Sequence, residues 1–178
     1  MKRMYRQNLL AMLAAAEMGM CAATDAADNV SLNFTGTIKA AACQVISGSD
    51  QTVVLGNMGT SRFGGPGDVS DAKAFFIGLD CPEGGPAYAT VTFTGKAASD
   101  PALLALDSVP GAATGVAVRI NEDDGKTQVR LNEASASRVV RPGKDALQFT
   151  AQYEALVDRP QITAGVANAV TQFTVNYP

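Results

Sequence analysis

The 178 residues carry 14 Lys+Arg against 17 Asp+Glu, a formal net charge of −3, and no histidine. This acidic balance, without a basic patch or interleaved aromatics, argues against a nucleic-acid partner. The missing imidazole removes the usual Ser-His-Asp and Cys-His machineries and histidine metal sites.

In chain order, residues 1–26 have the layout of a secretory signal peptide: Lys2, Arg3 and Arg6 form a positive start, and residues 9–16 form an apolar stretch too short to span a bilayer as a helix. Small residues follow, with cleavage expected after Ala26 or after Ala23. Glu17 interrupts the stretch, and an ordered N-terminal helix is the other reading. Cys21 leaves with the leader and lacks the preceding small residue that a lipid anchor needs.

Beyond the leader, Val30, Leu32 and Phe34 alternate with Ser31, Asn33 and Thr35, which puts three apolar side chains on one face of a strand expected at 30–39. The Asn33-Phe34-Thr35 triplet fits a glycosylation acceptor by composition alone. Further strands are expected at 43–46, 52–55, 74–79, 87–93, 115–120, 127–131, 146–153 and 169–177, separated by Gly, Pro, Asp and Asn. Residues 97–106 are ambiguous, since Ala98-Ser99-Asp100-Pro101 could open a helical turn. Short strands at this spacing, undivided by any linker, indicate a one-domain all-β sandwich.

Two cysteines remain after cleavage, Cys43 and Cys81, 38 positions apart. In an exported protein the pair most simply forms a disulfide, with two reduced core cysteines as the alternative. Glu122, Asp123 and Asp124 are adjacent carboxylates of the kind a glycoside hydrolase uses, but with Gly125 between two apolar runs they read as a hairpin turn. The Gly64-Gly65-Pro66-Gly67 stretch joins no strand to a helix and reads as a plain loop. No enzyme chemistry and no cofactor or metal is expected.

The last strand is unusual. Phe173, Val175 and Tyr177 alternate with Thr174 and Asn176 right up to the carboxylate of Pro178. Most domains leave their last residues frayed, so a half-buried strand at the terminus implies that something holds its edge, and another chain is one candidate.

These marks together resemble a known family. They are Phe34-Thr35-Gly36 seven residues before Cys43, then Ala41-Ala42-Cys43-Gln44-Val45, Val53-Val54-Leu55-Gly56 with Phe63 following, Phe76-Ile77-Gly78-Leu79-Asp80-Cys81, Val91-Thr92-Phe93-Thr94-Gly95, and a terminal strand with Gly165 fourteenth from the end and Tyr177 next to last. Over nearly all of 30–178 the chain resembles a pilin subunit of the chaperone–usher class, as in type 1 fimbriae. The resemblance implies an immunoglobulin-like sandwich lacking its seventh strand and completed by a donor strand from another chain. It implies a pilin domain at 38–178 and a donor-strand extension at 27–37, with Val30, Leu32 and Phe34 as donor residues. Phe173, Val175 and Tyr177 would border the groove with Gly165, and the Pro178 carboxylate would be gripped by a periplasmic chaperone. An outer-membrane usher and neighbouring fimbrial subunits would be the later partners, and a cell-surface fimbrium supporting adhesion the product, reached by export through the periplasm. The extension is short, nearer to minor or linker subunits than to shaft subunits. A monomeric secreted sandwich binding a host ligand through loops such as 59–71 is the alternative.

Overall fold

The structure, a computed structural model, describes residues 32–37, 41–48 and 50–178. The expected signal peptide and Val30 lie outside the described residues. The chain divides into two units, Met1–Thr37 and Ile38–Pro178. In the first, residues 32–37 carry no secondary structure, and Leu32 and Phe34 stand 78% and 91% exposed. The strand expected at 30–39 is therefore not formed over 32–37. Alternation decides which side chains share a face, but a strand exists only when its backbone groups find a ladder.

The second unit is a sandwich of two antiparallel sheets. Its strands are β1 (Gln44–Val45), β2 (Lys73–Cys81), β3 (Tyr88–Gly95), β4 (Val116–Asn121), β5 (Gln128–Val129), β6 (Arg138–Val139), β7 (Gly143–Ala155) and β8 (Thr171–Asn176). One sheet runs β1-β2-β7-β4-β5 and the other β6-β3-β8. The register follows the alternation: Ile77 faces Leu147 and Phe75 faces Phe149 across β2 and β7, while Val91 faces Val175 and Phe93 faces Phe173 across β3 and β8. The inward positions of both sheets meet in one core that holds Ile77, Leu79, Val91, Phe93, Ile120 and Phe149. At its centre the rings of Phe93 and Phe149 lie 5.1 Å apart, edge to face, which suits the ring quadrupoles.

Cys43, just before β1, and Cys81, the last residue of β2, form a disulfide with sulfurs 2.04 Å apart. β1 itself pairs over only two residues, Gln44 with Asp80 and Val45 with Leu79. The covalent bridge is thus the strongest restraint on this edge.

Beyond the 30–39 segment, the structure decides three further points. Residues 97–106 form no helix, because the Asp100 carboxylate accepts from the Ala102 N–H at 2.8 Å and closes a tight turn, after which Leu104 bonds to Val118. Residues 52–55 form no strand, although Val53 and Leu55 are half-buried and Val54 is 74% exposed, because among the described residues no backbone hydrogen bond pairs them. The two-residue β6 was not expected at all.

Candidate functional site

Along one flank of the sandwich two stretches of the chain border the core without pairing with each other among the described residues. On one side of that flank is the stretch 163–177, which ends in β8; one edge of β8 pairs with β3, and the other has no strand partner among the described residues. On the other side is the stretch 43–58. It leans on β2 through Ile46 N–H to the Gly78 carbonyl at 2.9 Å, Gly78 N–H to Ser47 Oγ at 2.5 Å, and Gln51 Nε2 to the Phe76 carbonyl at 3.0 Å.

The two stretches meet at both ends. At one end Tyr177 Oη donates to the Cys43 carbonyl at 3.3 Å. At the other, Gly56 and Met58 face Gly165 and Ala167 across a cleft of about 460 Å³ whose lining includes Phe63 and Ile162. The two walls therefore run antiparallel, and among the described residues no backbone hydrogen bond joins them. They enclose a groove along the core.

Its lining is apolar and incompletely covered. Phe173, Val175 and Tyr177 point to the core cluster yet stay half-buried, as do Leu55, Phe75 and Tyr153. Val45 shares the inward face with its partner Leu79, but Leu79 is fully buried and Val45 is 44% exposed. Phe173 rests on Phe93 with ring centroids 6.4 Å apart. The sequence pointed to the β8 wall alone; the opposite wall, through Val45 and Leu55, and the floor residues Phe75 and Tyr153 come from the structure. The alternation of Val53 and Leu55 around exposed Val54 was the available signal.

Gly165 has a steric reason to be glycine. A Cβ there would lie 2.5 Å from the Ala113 nitrogen and strike the Gly111 carbonyl. Here the chain is bound edge to edge with a neighbouring loop, with Ala113 N–H donating to the Val166 carbonyl at 2.9 Å and Val166 N–H to the Gly111 carbonyl at 3.0 Å. Pro178 follows Tyr177 at the exposed end of the wall.

The acidic triplet serves the hairpin. Asp124 accepts from the N–H groups of Lys126 and Thr127, each at 2.8 Å, and from Thr127 Oγ1 at 2.6 Å. Those bonds, the hydroxyl first, hold its pKa down at about 2. Asp123 is held below the usual carboxylate range by its hydrogen bond from Arg138. Glu122 is buried, accepting from Arg138 at 3.0 Å and from the Ala136 N–H at 2.7 Å. Glu122 and Asp123 tie the β4–β5 turn to Arg138 of β6, and Asp124 closes the turn itself. In the 59–71 loop, Asp68 likewise accepts from the Gly64 and Gly65 N–H groups.

Among the described residues no group of His, Cys, Asp and Glu is placed to hold a metal. An antiparallel immunoglobulin-like sandwich with one disulfide and one unfilled flank defines a class of fold, and relatives define the family. A family model described as Fimbrial protein matches residues 32–178. The "Type-1 fimbrial protein subunit" of Serratia marcescens is 34% identical over 182 residues, covering 96% of this chain and 99% of that one. The "Long polar fimbria protein A" of Salmonella typhimurium is 35% identical and covers 82% of each. Among solved structures, a type I fimbria protein of Burkholderia pseudomallei superposes with a TM-score of 0.59 at 30% identity, covering 82% of this chain and 96% of that one. The P pilus rod subunit superposes with a TM-score of 0.60 at 22% identity, which shows the shared fold. The chain belongs to the fimbrial protein family and is a structural subunit of a cell-surface fimbria rather than an enzyme.

Proposed function

We propose that this subunit polymerises by donor-strand exchange, the groove between 43–58 and 163–177 receiving the N-terminal segment 27–37 of a neighbouring subunit. The observation that carries the reading is the open flank itself: two antiparallel walls, apolar side chains half-covered, and no ladder between them. Apolar surface left in water costs roughly 25 cal/mol per Å², and an unpaired strand edge beside it invites any extended chain to add on. Leu32 and Phe34 have the matching alternation and are exposed. Val30 would extend the same face.

A fitting strand adds main-chain bonds along the free edge of β8 and sets alternate side chains between Phe173, Val175 and Tyr177 on one wall and Val45 and Leu55 on the other. Before assembly the same groove needs a temporary occupant. A periplasmic chaperone supplies one by strand addition, gripping the Pro178 carboxylate with basic residues, and the outer-membrane usher is where the neighbour's segment replaces it. Residues 1–26 direct export and are removed.

Deleting residues 27–34 tests this directly. The truncated subunit is expected to form its chaperone complex normally and yet to give no fibres when it is the sole subunit. Fibres of normal length from truncated subunits alone would refute the donor assignment. Replacing Leu32 or Phe34 by a charged residue is expected to act in the same direction, because an ion in an apolar groove loses hydration without gaining a partner.

A further inference from the structure

Two tyrosine hydroxyls bridge the sheets at opposite ends of the open flank. Tyr153 lies on β7 of the five-stranded sheet, and its hydroxyl donates at 2.8 Å to the carbonyl of Ala167, on the stretch leading into β8 of the other sheet. Tyr177 follows β8, and its hydroxyl donates at 3.3 Å to the carbonyl of Cys43, which precedes β1 of the five-stranded sheet. The two bonds run in opposite senses, each from one wall's sheet to the other. Both rings pack against the core and are half-buried, and burial raises the pKa of both hydroxyls, so both remain donors at neutral pH.

The wall around Ala167 shows what Tyr153 contributes. Its outer side is fixed by Val166 and Asn168, whose carbonyls accept from Ala113 at 2.9 Å and Asp107 at 2.8 Å. Ala167, between them, turns its carbonyl the other way, to Tyr153. At the opposite end the disulfide fixes Cys43 against β2, so the Tyr177 bond ties the last residues of the chain to a covalently anchored point. Within each sheet the described strands are spaced by ladder hydrogen bonds. Here the spacing is left to side chains.

We propose that Tyr153 and Tyr177 are struts that fix the 163–177 wall before a donor strand enters, Tyr153 holding it to the groove floor at the Gly165 end and Tyr177 holding it to the opposite wall at the Cys43 end. They are positioning residues for strand exchange, and the proposal rests on the donor-groove reading above. A groove whose wall is already fixed binds without the cost of ordering it, whereas a wall free to splay or collapse must be ordered by each incoming strand.

The test uses Tyr153→Phe and Tyr177→Phe, which keep the rings and remove only the hydroxyls, in the exported, disulfide-bonded subunit refolded with a labelled synthetic peptide of residues 27–37. Peptide release is measured by displacement with unlabelled peptide, and amide hydrogen exchange is followed on the same complexes. Each variant is expected to release the peptide about threefold to tenfold faster, the range that one net hydrogen bond represents. Y153F is expected to speed exchange at 163–170 and not at 41–48, and Y177F to do the converse. Unchanged release, or exchange rising uniformly through both sheets, overturns the struts, the latter because it marks ordinary loss of stability. If the wild type takes up no peptide, the donor-groove reading fails, and the struts are judged on the exchange pattern of the free subunit alone.

Discussion

The closed and open flanks of this sandwich use the same sequence code and reach different states. In β2 and β7 the alternating residues Ile77, Leu79 and Phe149 are fully buried; in β8 and the residue after it, the alternating Phe173, Val175 and Tyr177 stop half-way. Their apolar character is alike, and all of them pack on one core. The difference is that β2 and β7 each have a neighbour on both edges, whereas β8 has one on a single edge. Alternation therefore specifies which face turns inward, and connectivity decides whether the chain itself supplies the cover.

The largest expected effect is on the closed side. Phe149→Ala removes a ring in contact with both Phe93 and Phe75, and is expected to cost about 3–5 kcal/mol in urea unfolding, with or without donor peptide. Phe173→Ala, at the open side, is expected to cost only about 1–2 kcal/mol without peptide, because part of its ring is already in water, and more with peptide bound. Equal costs for the two substitutions in the peptide-free subunit would erase the contrast between the flanks.

Removing the disulfide by Cys43→Ala with Cys81→Ala is expected next, at about 2–5 kcal/mol. The effect is expected to be concentrated in one place. β1 has two paired residues and the open wall begins there, so amide exchange should rise first at 43–48. Non-reduced peptide mapping of exported protein checks the bond itself, and two free thiols there would refute it.

Arg138→Met probes a feature of the closed side, far from the groove. It leaves the Glu122 carboxylate buried without its cation, while exposed Asp123 is hydrated. The expected cost is about 2 kcal/mol, lower than for a fully buried pair because the Arg138 side chain is 26% exposed. Replacing Glu122 by Gln in the same chain should restore part of it.

These contrasts also show what the sequence could and could not disclose. β2, β3, β4, β7 and β8 were legible because each has enough alternating residues to display a period of two. β6 was not, since two residues have no period; Arg138 is drawn there by Glu122 and Asp123, a long-range pairing. β7 begins at Gly143 rather than at the expected 146, because Gly143, with φ of +81°, turns the chain sharply enough to pair with Cys81. Residues 52–55 misled in the opposite direction, having the pattern of a strand and no backbone partner among the described residues. The inward face of β8, with Phe173 and Val175, was legible from alternation. Tyr153 was not, because a tyrosine in phase with Phe149 and Ala151 reads as plain core, and its reach to Ala167 is a fact of three dimensions.

The smallest expected effect separates the flanks by pH. Burial raises the pKa of Tyr153 and of Tyr177, so the folded state favours the neutral phenol of each. In the unfolded chain a tyrosine loses its proton near pH ~10. Between that value and the folded pKa the native state holds more protons than the unfolded state, so stability is present in full below about pH 10 and falls as pH rises through this window. A phenolate also cannot donate to the Ala167 or Cys43 carbonyl, so the loss should appear first as loosening of the groove. Comparing urea midpoints at about pH 9 and about pH 11 for wild type and for Y153F combined with Y177F isolates this part from lysine titration, which both proteins share. The wild type should lose more stability than the double variant, with exchange rising at 163–177 before it rises in β2 and β7. Equal losses in the two proteins would mean that neither hydroxyl senses folding, and the 163–177 wall would then owe its position to the apolar contacts alone.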